Sequence, residues 1–158
     1  MIPGIIIEFL KRASAAVAST RDSSLVPHIH YVSAWEVSQD ATEITCFIPS
    51  EFNSNLLSSL QDNGQFTLTV EQIGPHETYQ FKGDYIDSRP FEEADRSLYE
   101  DCRERFVTTC LPLVGFTEDV LRRHISKPSI AVRFKVREIF VQTPGPSAGK
   151  RLVPPEEQ

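Results

Sequence analysis

His28 and His30 stand two residues apart in PHIHY. On a strand that spacing sends both imidazoles to one face, where they can share an anion or begin a metal site. A metal needs a third ligand; no acid or thiol stands beside the pair, so none is expected. Lys82, in TYQFKGDY, offers a second basic position. Pairing QFTLTVEQ with TYQFKGDYI across the short loop Ile73–Glu77 makes the two segments antiparallel neighbours. Setting apolar against apolar then puts Phe81 opposite Leu68 and Lys82 opposite Thr67. The register collects Thr67, Thr69, Gln80 and Lys82 on one polar face, a binding surface if it turns inward and a solvated one if it turns out. Arg21, followed by Asp22, suits either a phosphate contact with its orienting acid or a turn-closing ion pair. Arg133, Lys135 and Arg137 alternate into a basic ladder, expected to be solvated and paired with acids of the preceding helices. Trp35 is expected in the core.

The stretch GPSAGKRL, residues 145–152, superficially resembles a phosphate-cradling P-loop. That pattern requires four residues between its glycines and a Ser or Thr after the Lys. Only Pro146, Ser147 and Ala148 separate Gly145 from Gly149, Arg151 occupies the hydroxyl position, and Leu152-Val153-Pro154-Pro155 stands where a P-loop would open a helix. Nucleotide hydrolysis is excluded on that spacing. Lys150 and Arg151 remain as a basic pair able to fold over an anionic ligand or onto a partner chain.

A chain of 158 residues suits one domain, here taken as 1–158, with a short N-terminal helix at about 3–13 and a tail at about 143–158. Its net charge of -6 argues against nucleic acid as a partner, because phosphate-backbone recognition rests on massed positive charge. No apolar run is long enough for a membrane span. In the first residues Glu8 interrupts the apolar stretch and Lys11–Arg12 follow it, the reverse of a secretion signal. A cytoplasmic protein is expected, with Cys46, Cys102 and Cys110 reduced. Cys102 and Cys110, if on one helix, lie about 12 Å apart, too far for a disulfide.

These side chains need a scaffold. Ile5, Ile6, Phe9 and Leu10 form one face of a docking helix that starts near Pro3. Strands are expected at VASTRD, HIHYVSAWEV, TEITCFIP, QFTLTVEQ, TYQFKGDYI and SIAVRFKVREIFVQT, six in all. A helix with Phe52, Leu56, Leu57 and Leu60 inward ends at Gly64. Pro90 with Glu92 and Glu93 opens another, through Leu98 and Cys102 to about Phe106, and a last one begins near Thr117. In the closing strand Ile139 and Val141 fall out of phase with Ile130, Val132, Phe134 and Val136, which places a bulge near Arg137–Glu138. The expectation is an α+β domain: a six-stranded antiparallel barrel with peripheral helices.

The order VASTRD, PHIHYVSAW, ITCFIP, a crossing helix, FTLTV and ETYQFKGDY resembles the FMN-binding split-barrel superfamily, the pyridoxamine 5'-phosphate oxidase-like proteins. The resemblance runs best from Val17 to Ile86, with TYQFKG its most specific element. It implies a six-stranded split barrel and a homodimer with FMN in a groove between the two chains. It implies an oxidoreductase acting on a small molecule, in which the flavin supplies the redox chemistry. The cofactor-binding set carried over is Arg21, His28, His30, Ser50, Thr67, Lys82, Lys150 and Arg151. Where the family has a Lys shortly after the hydroxyl matching Ser50, this chain reads Glu51-Phe52-Asn53. That departure motivates two alternatives, a dimeric binding or scaffold protein that has lost FMN, and a haem-binding relative using His28, His30, His76 or His124.

Overall fold

A computed structural model describes residues 1–49 and 55–152. Helix α1 (Gly4–Arg12) follows Pro3 and buries Ile6, Phe9 and Leu10, while Ile5 is 76% exposed. Ile5 sits one position off the buried stripe, and Ile2, ahead of the helix, fills the core instead. Among the described residues seven strands follow, not six: β1 (Ala15–Arg21), β2 (Pro27–Tyr31), β3 (Ala34–Val37), β4 (Glu43–Ile48), β5 (Gln65–Gln72), β6 (Glu77–Pro90) and β7 (Ile130–Val141). They form one sheet in the order β2-β1-β5-β6-β7-β4-β3, with every pairing antiparallel.

The extra strand comes from HIHYVSAWEV. The run alternates without interruption, but its partners change midway. Val32 N–H donates to Ala16 O on the β1 side (3.2 Å) and Ser33 N–H to Phe47 O on the β4 side (2.8 Å). β2 and β3 therefore lie at opposite ends of the strand order while only two residues separate them in the chain. The sheet has to curl until its edges approach, which gives a half-barrel wrapped round an apolar centre.

That centre holds Phe9, Phe66, Leu68, Phe81, Phe134 and Ile139, all essentially without solvent exposure. Each such side chain contributes about 1.5–3 kcal/mol when buried. Leu68 faces Phe81 and Thr67 faces Lys82, the register expected from the alternation. β7 carries its bulge where the phase shift put it. Lys82 pairs with Glu138 and Gly83 with Val136, so Arg137 is the extra residue. A second irregularity leaves Ile86 unmatched between Tyr85 and Asp87. Gly83 belongs to this crowded crossing. A Cβ there would overlap the carbonyl oxygen of Lys135 and lie 2.8 Å from its carbonyl carbon.

Helix α2 (Leu56–Asn63) buries Leu56 and Leu60, leaves Leu57 37% exposed, and stops at Gly64, whose φ of 67° is left-handed. The expected inward Phe52 lies outside the described residues. Pro90 does not open a helix; it ends β6, and a short 3-10 turn (Glu93–Asp95) leads into α3 (Arg96–Cys110). The acids of the 92–95 segment make a capping box there. Helix α4 (Glu118–His124) follows Thr117 with acids early and bases late, as the dipole favours. Among the described residues no helix is long and apolar enough to cross a membrane. Cys46, Cys102 and Cys110 are free thiols, all buried.

Candidate binding shelf on the outer face of the sheet

Strand register lays two rows across the outside of the curled sheet. Ile29, Ser19, Thr67, Lys82 and Glu138 are successive cross-strand partners from β2 to β7. Beside them run Tyr31, Val17, Thr69, Gln80 and Phe140. Residues in register share a face, and their inward neighbours Ala18, Leu68 and Phe81 are fully buried, so both rows point outward. The polar face expected from the sequence is thus an outward one.

The β2 end of the shelf is apolar, with Ile29 71%, Tyr31 45% and Val17 38% exposed. The middle is polar, and Gln80 Nε2 donates to Thr69 Oγ1 (3.4 Å). At the β7 end a cavity of about 200 Å³ is walled by Gln65, Thr67, Lys82, Gly83, Arg137 and Glu138, with Phe66 behind them.

Its charges are distributed unevenly. Arg137 Nε binds Asp84 Oδ2 at 2.9 Å. The Glu138 carboxylate is bound by Arg151. Lys82 has no carboxylate partner among the described residues; its ammonium lies 4.8 Å from the centre of the Phe140 ring. Arg21 reaches the same shelf, with its Nε donating to Gln65 Oε1 (3.3 Å), and it too has no carboxylate among the described residues. The outward shelf therefore offers Lys82 and Arg21 as cations, with hydroxyls and an amide between them. An anion laid there gains charge-assisted hydrogen bonds without having to displace an ion pair.

The tail explains where Arg151 comes from. After β7 the chain turns through Gly145–Gly149 and runs back along the strand. Gly149 N–H donates to Val141 O (2.7 Å), Val141 N–H to Lys150 O (2.9 Å), and Leu152 N–H to Ile139 O (2.7 Å). Arg151 bridges to Phe140 in this short ladder. The basic pair is split: Arg151 is spent on Glu138 within its own chain, while the Lys150 side chain stays exposed.

His28 and His30 share a face, as their spacing requires, but it is the inner face of β2 and not the shelf. His30 is 2% exposed, and its Nε2 lies 3.1 Å from Thr20 Oγ1. His28 Nε2 donates to Asp22 Oδ2 (3.1 Å), and Asn55 Nδ2 donates to His28 Nδ1 (3.5 Å), a pair of contacts that suits the Nε2–H tautomer. Asp22 is thus the acid that the local sequence around the histidines did not suggest. Its carboxyl is held below the ordinary range, first by the Val26 N–H and then by His28. It is not paired with the Arg21 guanidinium, which instead touches the Asp22 carbonyl (3.4 Å). Among the described residues no three His, Cys, Asp or Glu side chains gather as a metal site.

Of the eight carried-over residues, Arg21, Thr67, Lys82 and Arg151 meet at the shelf, with Arg151 acting through Glu138. His28 and His30 lie apart from them, Lys150 contributes only backbone, and Ser50 lies outside the described residues. Sequence reasoning missed the apolar end of the shelf. The signal was present, because Ile29 and Tyr31 alternate against His28 and His30. Trp35 is core, 5% exposed, with its indole N–H on Leu10 O (3.1 Å). The ladder arginines pair with strand acids, not helix acids: Arg133 with Asp87 and Glu43, Arg137 with Asp84. The register sets Lys135 opposite both Glu43 and Asp84, so the acids come from the sheet itself.

The curled antiparallel half-barrel with peripheral helices is similar in fold to solved structures of split-barrel proteins described as FMN-binding or pyridoxamine 5'-phosphate oxidase-like. Among solved structures the chain is similar to HupZ of Group A Streptococcus, with 15% identity and a TM-score of 0.56, over 94% of this chain and 100% of that one. It is also similar to a protein from Lactobacillus delbrueckii described as a putative pyridoxamine 5'-phosphate oxidase, with 9% identity and a TM-score of 0.54, over 89% and 94%. A third is a pyridoxamine 5'-phosphate oxidase-related, FMN-binding protein from Nostoc punctiforme, with 11% identity and a TM-score of 0.50, over 91% and 86%. No protein-family model and no curated protein matches the chain.

Proposed function

We propose that this chain binds flavin mononucleotide on the outer shelf, between two copies of itself, and serves as an FMN-dependent oxidoreductase of the cytoplasm. The observation that carries the reading is Lys82, a cation without a carboxylate partner among the described residues, set in a row of hydroxyls beside exposed apolar side chains. FMN has the matching chemistry, a phosphate for Lys82, Arg21 and Thr67 and a broad ring for the apolar end. When bound, the flavin supplies the electron transfer. The chain's residues anchor the phosphate and, with a second copy covering Ile29 and Tyr31, keep water from the ring. Asp84 and Glu138 would repel a phosphate, but Arg137 and Arg151 neutralise them in place.

The test is a titration of purified protein with FMN, followed by quenching of flavin fluorescence, with riboflavin as the phosphate-free comparison. Saturable quenching is expected, with riboflavin bound at least about tenfold more weakly, the size of one lost charge-assisted contact. No quenching by FMN, or equal affinity for riboflavin, overturns the reading.

One observation favours a second reading, a dimeric scaffold without cofactor. The family resemblance calls for a Lys shortly after the hydroxyl matching Ser50, and this chain reads Glu51-Phe52-Asn53-Ser54-Asn55 there. That reading predicts a dimer that stays colourless with FMN. Haemin belongs in the same titration, although the four histidines do not converge. His76 binds Glu71, His124 stacks on Phe106, and His28 and His30 lie inside the sheet.

A further inference from the structure

A second recess, sharing no residue with the shelf, lies between α1, β3 and α3 and encloses about 370 Å³. Ligand sites are commonly about 300–1,000 Å³, mostly apolar with a few placed polar groups. Its walls are Ile7, Leu10, Trp35, Val37 and Leu98, and Arg105 lies among them. The guanidinium sits 5.6 Å from the Trp35 ring centre. One Nη donates to Lys11 O, the carbonyl at the end of α1, and the other to Cys102 Sγ at 2.9 Å. The Nε–H is buried without any acceptor among the described residues. No carboxylate among the described residues pairs with this cation, whereas ten of the sixteen Lys and Arg side chains have one.

Three features set what would complement such a recess. A guanidinium has five N–H donors, and the three contacts above leave its charge uncompensated. The other cation on the wall, Lys11, is already held by Glu8 at 2.7 Å. Glu36 also lines the recess and points outward from β3, so a second negative charge on a ligand would meet repulsion. The structure assigns this recess to a small monocarboxylate with an apolar body, a medium-chain alkanoate or an arylalkanoate, whose single charge meets Arg105 and whose tail lies on Trp35, Val37 and Leu98.

Trp35 is the only tryptophan in the chain, so its fluorescence reports on the recess directly. The experiment titrates the full chain, without FMN, with octanoate and with 1-octanol, its uncharged counterpart, both below aggregation. Octanoate should give a saturable change at a concentration at least about tenfold lower than octanol, the advantage of one charge-assisted contact. Arg105→Gln should erase that preference while the apolar binding remains. Because Arg105 also holds the end of α1, a second variant leaves it alone. Val37→Phe fills the recess and should abolish the octanoate response while leaving the circular dichroism spectrum and urea midpoint close to those of the parent. The assignment is overturned by an absent octanoate response, by equal affinity for octanol, by a folded Arg105→Gln protein that keeps the preference, or by Val37→Phe binding like the parent.

Discussion

Lys82 and Glu138 are cross-strand partners on the outer face, yet they do not form the ion pair that their positions invite. Arg151 takes the Glu138 carboxylate, and Lys82 turns over the Phe140 ring. Opposite charges directly facing across two strands normally attract, so the returning tail acts as a competitor that keeps Lys82 available. Lys82→Ala should weaken FMN at least about tenfold. Arg151→Ala should weaken it by less, because the freed carboxylate captures Lys82 rather than removing it. In the double variant Arg151→Ala/Glu138→Gln that loss should be largely recovered. Flavin-fluorescence titrations of the parent, Arg151→Ala, Glu138→Gln and the double variant close the cycle; additive effects in the double variant would mean that Arg151 does not act through Glu138.

Gly83 carries the most specific part of the sequence resemblance, and its role is structural. Nothing larger fits where β6 passes the Lys135 carbonyl beside the bulge at Arg137. The obstacle is backbone in the middle of the most extensively paired strands, which cannot swing aside as a side chain would. Gly83→Ala should therefore cost about 3 kcal/mol, the upper end of ordinary overpacking, read as a lower urea midpoint at unchanged slope. An Ala variant as stable as the parent would show that the crossing relaxes freely.

Acid sensitivity should have an identifiable contributor at the junction of β6 and α3. Arg89 grips Asp95 with two hydrogen bonds, 2.7 and 2.8 Å, and the Glu92 N–H adds a third at 2.9 Å. Arg89, foremost, then the Glu92 amide, hold the Asp95 carboxyl below its ordinary 3.8 against the opposing effect of partial burial. A folded value below the unfolded one means the stabilisation is complete above about pH 4 and disappears as pH falls through the folded value. Asp95→Asn should be less stable than the parent at neutral pH, and the gap should narrow as pH falls below the ordinary 3.8 and through the lower folded value. Urea midpoints measured across that window test it, and a gap that stays constant with pH would remove Asp95 from the account.

The sequence revealed what is local, and the structure added what depends on partners far away in the chain. The Leu68–Phe81 register and the bulge at Arg137 follow from alternation and its change of phase, so both were readable. The division of residues 27–37 into two strands was not. Its alternation continues unbroken, and only the change of partner from Ala16 to Phe47 ends one strand and starts the next. The same limit applies to the shelf. Lys82 among hydroxyls was visible in the register, but not which way that face turned, because direction depends on how the whole sheet curls. The hold of Arg151 on Glu138 depends on a tail reversal through Gly149, which has a φ of 82°, and no spacing rule would pair residues 138 and 151.

Ile29 makes the homodimer testable apart from the cofactor. It stands 71% exposed on an edge strand, level with Ser19 and Thr67, and Tyr31 and Val17 extend the apolar strip beside it. Such a strip at the rim of a polar shelf is the composition of a surface covered by another chain. Ile29→Asp removes one such side chain and adds a charge that must be desolvated when the face is covered. Losing that burial alone costs about 1.5–3 kcal/mol per copy, enough to raise the dimer dissociation constant tenfold or more. The monomer itself should be unaffected, because the side chain already faces solvent there. Sedimentation equilibrium should therefore show a parent dimer and an Ile29→Asp monomer with the same circular dichroism spectrum. A parent that remains monomeric at every concentration, or a variant that dimerises equally well, would place the second copy elsewhere or nowhere, and the shelf would have to hold its ligand from one side alone.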